Sequence, residues 1–190
     1  MKNVLKLLLM GIAYLAIFIL GATSGIIHPA CYAYVGALLP LLFAFVYLYT
    51  SRIIKGFGVP TFLNGFILVL FLLAGEADLT LIVGFIILTA LSEIIRYFLG
   101  YNTKKGISWG FVPFAFSFFA YTMHWWTDTA GSLAAAVEEM PAGYDELMKP
   151  VIDNVPMLIV VLLLTIPISM LSIRLAERRL KNGINDEVVH

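Results

Sequence analysis

Residues 7–51 carry no charged side chain. Forty-five helical residues rising 1.5 Å each would reach about 68 Å, roughly twice the 30 Å hydrocarbon core of a bilayer, so the run has to fold back. The break falls at His28-Pro29, after Gly21 to Gly25, because proline cannot continue a helix and disfavours helix in the residue before it. Further uncharged runs lie between Lys55 and Glu76, Lys105 and Asp128, and Asp153 and Arg174, each about one crossing long. A shorter run, 79–92, is extended by Glu93 and Arg96, whose i, i+3 spacing pairs them while Arg96 snorkels toward the headgroups. The expected fold is an all-α membrane protein, a single integral membrane domain over 1–190. Its six transmembrane helices fall near 7–27, 31–50, 58–75, 79–98, 107–126 and 155–175.

Composition agrees. The chain is 61% hydrophobic and 13% charged, where a soluble domain is about half apolar and a quarter charged, which excludes a cytosolic globule. Twelve basic residues balance twelve acidic ones, so the charge balance points to no nucleic-acid partner. Lys2 and Lys6 precede the first apolar run as in a signal peptide, but that run far exceeds an h-region of about 7–15 residues and reads as a retained span. The lone Cys31 has no disulfide partner and is expected in the apolar interior.

Six spans put Lys2, Lys6, Arg52, Lys55, Arg96, Lys104, Lys105, Arg174, Arg178, Arg179 and Lys181 on one side and only Lys149 on the other. The positive-inside rule makes both termini cytoplasmic in a bacterial plasma membrane. Glu76, Asp78, Asp128, Glu138, Glu139, Asp145, Glu146 and Asp153 then face outward. The outer segment 127–154, between the fifth and sixth helices, is too long for a minimal turn. Ser132 to Met140 has helical content with Ser132 as cap, Pro141-Ala-Gly stops it, and Tyr144 to Met148 forms a second short helix. The segment is either a lid over a cavity or a hairpin lying on the headgroups.

No Gly-Lys dipeptide occurs, which excludes a P-loop, and no H-E-x-x-H occurs either. Polar and aromatic groups instead gather at the outer ends of several spans. His28, Tyr32 and Tyr34 flank the first outer turn, Glu76 and Asp78 form the second, and Tyr121, Met123, His124, Trp125, Trp126 and Asp128 close the fifth helix. Flat rings with polar edges suit a planar amphipathic ligand, and outer carboxylates accept its donors. His28, Tyr32, Glu76, Tyr121, Met123, His124, Trp125 and Asp128 are the candidate substrate-binding residues. Trp125 and Trp126 also fit ordinary headgroup anchors. Tyr121 and Trp125 share a helix face that Trp126 does not. His28 and His124, with Met123, have the chemistry of haem axial ligands, although no spacing rule ties them together. Asn64, near the cytoplasmic end of the third helix, is expected either to cap or to hydrogen-bond between helices. His124-Trp-Trp-Thr-Asp128 resembles one element of the membrane proteases that process prenylated proteins, and Ser24 before Gly25 suggests a rhomboid-like nucleophile or, more simply, a packing serine. Gly21 and Gly25 form a G-x-x-x-G pair suited to close helix approach, within the chain or with a partner.

Leu91-Ser-Glu-Ile-Ile-Arg96, Gly100-Tyr-Asn-Thr-Lys-Lys-Gly106, the stretch from Tyr121 through Trp126, and the last helix from Pro156 into Arg174-Leu-Ala-Glu-Arg-Arg-Leu-Lys181 together resemble the Trep-Strep (MptD-type) membrane proteins over almost the whole chain. The resemblance implies a substrate-binding S component of an energy-coupling-factor (ECF) transporter. Such a protein captures a vitamin-like micronutrient outside and hands it inward with a transmembrane T component and two cytoplasmic ATPases. It has no intrinsic cofactor, and haem is one candidate cargo. Small residues on the first helix, here Gly11, Ala13 and Ala16, would meet the T component, although the usual A-x-x-x-A spacing is absent. The competing classes are an intramembrane enzyme of the prenyl-protease kind using His124 and Asp128, and an assembly subunit with no ligand.

Overall fold

The computed structural model describes residues 2–187, with side chains described through Leu180. His190 and the side chain of Lys181 lie outside the described residues. All regular structure among the described residues is helical. α1 (Lys2–Thr23) is followed by α2 (Pro29–Tyr34), α3 (Pro40–Ile53), α4 (Val59–Ala74), α5 (Leu79–Leu99), α6 (Lys104–Phe114), α7 (Ser117–Thr122), α8 (His124–Thr127), α9 (Thr129–Glu139), α10 (Tyr144–Asp153) and α11 (Val155–Glu187).

Among the described residues three helical stretches are long and apolar enough to cross a membrane, Lys2–Ile26, Leu79–Leu99 and Val155–Leu180. A bent pair, Pro29–Ala37 with Pro40–Ile53, turns by 44° and makes a fourth if it is taken as one span. The expected continuous helix over 31–50 is therefore broken. Pro40 has no N–H to offer the preceding turn and instead opens α3 at its first position. The expected helix over 107–126 is broken too, into α6, α7 and α8. Pro113 removes a donor inside α6, and the chain turns through Ala115 and Phe116 before restarting at Ser117. α4 has 16 residues, about 24 Å of helix, shorter than a full hydrocarbon core. The flank of the bundle is strongly apolar: Leu73, Ile86, Leu163 and Leu164 are among the many large side chains left exposed there. Water would penalise such a surface and lipid does not.

The interior is built on aromatic rings. Tyr14 of α1 packs against Phe43 of α3 at 4.9 Å and against Phe114 of α6 at 5.3 Å, and Phe18 against Phe118 of α7 at 5.4 Å. Tyr14 donates its hydroxyl to Asn64 Oδ1 at 2.9 Å, and Asn64 Nδ2 donates to Thr89 Oγ1 at 3.0 Å. That chain links α1, α4 and α5, the interhelical role expected of Asn64. Gly21 lies directly under Phe118 and Leu39, and Gly25 under Tyr144 and Tyr32, so the G-x-x-x-G pair is used for packing within the chain. Ser24 donates to the Gly21 carbonyl at 2.6 Å, as a packing serine does.

Three further expectations change. Arg96 does not snorkel. It is 0% exposed and pairs at 3.8 Å with Glu93, itself 5% exposed. Its guanidinium stands over the rings of Tyr47 and Tyr101, an environment that protein supplies and the headgroups do not. Cys31 is exposed rather than interior, because the short α2 turns its buried face, Tyr32 and Ala33, away from it. Gly11, Ala13 and Ala16 do not form one docking face. Gly11 is buried against the Phe66 ring and Ala13 is partly buried against the core, leaving Ala16 exposed. Helical spacing puts Gly11 on the opposite side from the two alanines.

Candidate functional site

The charges segregate in the folded chain. Lys55, Arg96 and Lys104 lie at one end, where Asn102 donates to the Lys55 carbonyl and Lys104 pairs with Glu177 at 3.5 Å. At the opposite end Glu76, Asp78, Asp128 and Glu139 line a single cavity of about 800 Å³. Its walls come from the α4–α5 turn, from α2, and from α7, α8 and α9, with Tyr32, Tyr121, His124, Trp125, Ser132 and Ala135 also facing it. The cavity has a solid floor. Tyr121 rests on Phe71 at 5.3 Å and on Phe118 at 5.8 Å, and Phe118 belongs to the aromatic core.

Segment 127–154 builds one side of this cavity. Asp128 caps α9 by accepting the Gly131 N–H at 3.2 Å, so the helix starts before Ser132, and Ser132 is inside it rather than its cap. α10 runs on past Met148 to Asp153. Its buried residues Tyr144, Met148, Val151 and Ile152 press onto the bundle. Two backbone carbonyls anchor it, Val151 accepting from Tyr34 Oη at 3.2 Å and Ile152 from Trp126 Nε1 at 3.1 Å. Trp126 thus holds the segment down and stays out of the cavity, on the face opposite Tyr121 and Trp125. Burial, with the Tyr121 phenol beside it, pushes the pKa of the Tyr144 hydroxyl up, so it remains a neutral donor.

Six of the eight expected residues converge here: Tyr32, Glu76, Tyr121, His124, Trp125 and Asp128. His28 lines a neighbouring cavity of about 340 Å³, which shares Tyr32, Tyr121 and Met140 with the first. There its Nδ1 accepts the Ala30 N–H at 3.1 Å and caps α2. Met123 is misplaced by the sequence reading. It faces an apolar groove of about 580 Å³ on the flank, with Phe116, Phe119 and Leu162. His28, His124 and Met123 therefore line three different cavities and supply no common pair of haem ligands. Sequence reasoning missed Ser132, Ala135 and Ala136 as cavity residues, and it placed Glu139 only among the outer charges. Their offsets from Asp128 lie on one face of a helix, a signal visible once α9 is started at Thr129.

His124 Nδ1 and Ser132 Oγ are 2.8 Å apart, the contact of a base and a hydroxyl nucleophile. However, Ser132 also donates to the His124 carbonyl at 3.1 Å, and the Asp128 carboxylate is committed to Gly131 rather than to the imidazole. The arrangement is better suited to fixing the ring as part of a wall than to activating the serine. A family model described as a hypothetical bacterial integral membrane protein (Trep_Strep) matches residues 1–182. No curated protein and no solved structure matches the chain.

Proposed function

We propose, from the premise that this chain belongs to the Trep_Strep family of hypothetical bacterial integral membrane proteins, that this multi-pass protein is the substrate-binding S component of an ECF-type importer. It captures a vitamin-like small molecule outside and depends on a T component and two ATPase subunits for uptake. The observation that carries this reading is the cavity of about 800 Å³, floored by packed aromatics and walled by α9, at the acidic end. A purely structural subunit has no need of such a space. Six crossings are supported by α2–α3 and α6–α8, each of which travels between the two charged ends despite its breaks. An outward-facing acidic end is supported by the concentration of lysine and arginine at the other end. In this reading the 127–154 segment is the lid, and the hydrogen bonds from Trp126 and Tyr34 to its backbone hold it over the cavity.

The experiment is retention of a small molecule by the gently purified protein, read by native mass spectrometry, against the variant Ala135→Trp. Ala135 is exposed and lines the cavity, so the indole should fill it without disturbing the core. A bound mass on the parent chain that disappears in Ala135→Trp at unchanged melting temperature is expected. An identical mass profile for both proteins would remove the receptor reading. Orientation has its own test in Cys31, the sole cysteine, exposed beside the acidic end. A membrane-impermeant maleimide added to intact cells should label it. Labelling only after lysis would invert the topology.

The second reading, an intramembrane hydrolase, has the His124–Ser132 contact in its favour. Labelling by a serine-reactive fluorophosphonate that is lost in Ser132→Ala would support it over the receptor.

A further inference from the structure

We infer that the molecule held in this cavity is an organic cation with a flat apolar part. The inference rests on the receptor reading and assigns its ligand class. Among the described residues every formal charge facing the cavity is negative, and neither of the two adjoining outer cavities is lined by a lysine or arginine. Lys149, the only base in segment 127–154, pairs with Asp145 at 3.4 Å and lines neither of them. Of the four carboxylates, two are occupied by the backbone, Asp78 accepting the Leu81 N–H at 2.6 Å and Asp128 that of Gly131. Glu76 and Glu139 have no hydrogen-bond or ion-pair partner among the described residues and stand free at the rim. An anionic guest would meet like charge on every side, with part of the surroundings low in dielectric.

The other walls favour the same guest. Tyr32 stands at 90° to Tyr121 and at 86° to Trp125, with centroids 6.0 and 6.4 Å apart, and His124 lies 5.0 Å from Trp125. Ring faces set around a cavity attract a cation through their quadrupoles and stack on a flat apolar body. Trp125 is 2% exposed, yet its Nε1–H has no hydrogen-bond partner among the described residues. That donor has no accessible surface, so what Trp125 offers a guest is flat apolar ring surface rather than a hydrogen bond. A bare metal ion fits less well, because among the described residues no three His, Cys, Asp or Glu side chains come close enough to hold one.

The test titrates the full chain, in nanodiscs of neutral phosphatidylcholine, with 1-methylquinolinium, quinoline and quinoline-2-carboxylate at pH 7, by calorimetry and tryptophan fluorescence. These probes share a bicyclic ring and differ in charge. The cation should bind at least ten-fold more tightly than quinoline, weaken as salt is added, and lose about ten-fold in Glu76→Gln/Glu139→Gln, a variant expected to melt normally and to bind quinoline as before. Equal or tighter binding of the carboxylate, a series blind to charge, or no binding by any probe overturns the cation assignment. The receptor reading is decided separately by the retained mass and its loss in Ala135→Trp.

Discussion

Glu93→Ala is expected to lower the stability of the purified protein by about 3–5 kcal/mol, because it leaves the Arg96 guanidinium buried without its counter-charge. The carboxylate does more than neutralise. Glu93 Oε1 accepts the Gly58 N–H at 2.8 Å, at the start of α4, and the Thr61 hydroxyl at 3.1 Å. Arg96 donates to the Tyr101 carbonyl at 3.4 Å in the α5–α6 connection. One ion pair on α5 therefore ties down both neighbouring loops. Four polar atoms of this cluster, Tyr47 Oη, Glu93 Oε2, Arg96 Nε and Arg96 Nη1, have no hydrogen-bond partner among the described residues, so the site has little reserve if a charge is removed. Thermal unfolding in detergent measures the effect. Removing both charges, as Glu93→Leu/Arg96→Met, should recover most of the loss, since apolar replacement of a buried pair is often close to neutral. A single variant that melts with the parent would show that the pair is hydrated and not buried.

Gly106→Ala is expected to cost about 3 kcal/mol, the upper end of the usual overpacking range. A Cβ at Gly106 would run into the Gly100 carbonyl oxygen, which is backbone and cannot rotate away. The turn has no slack, since Thr103 accepts the Gly106 N–H at 2.9 Å while donating to the Leu99 carbonyl at 2.6 Å, and Gly100 itself sits at φ +89°. The expected signature is early melting together with protease cleavage at 100–106, and cleavage unchanged from the parent would contradict it. Gly56→Ala is the control, because nothing lies within 4 Å of the added methyl.

The residues differ in how much of their role was legible beforehand. Asp78 and Asp128 stand before apolar helical runs, and their side chains cap α5 and α9. That is a local matter, decided within three residues, although the composition of 132–140 pointed to Ser132 as the cap of α9 in place of Asp128. Tyr121 and Trp125 were readable as one face because they are four apart. Arg96 was misread, because the sequence shows an arginine near the end of an apolar run but not the rings of Tyr47 and Tyr101 that enclose it. Met123, two residues from both Tyr121 and Trp125, faces the flank because two helical steps, about 200° of turn, put it on the opposite face.

The chain by itself determined where its apolar segments lie, that they are helical, and which charges share an end. Hydrocarbon exacts several kcal/mol for an unpaired backbone group or a central charge, and that penalty is written residue by residue. Only the tertiary structure decided that Tyr32, Glu76, Tyr121 and Glu139 meet around one cavity, that Glu93 and Arg96 are interior, and that α10 is pinned through carbonyls of Val151 and Ile152. Such meetings depend on how helices distant in sequence are bent and seated against each other, and small residues and proline breaks set that seating through contacts no local pattern contains.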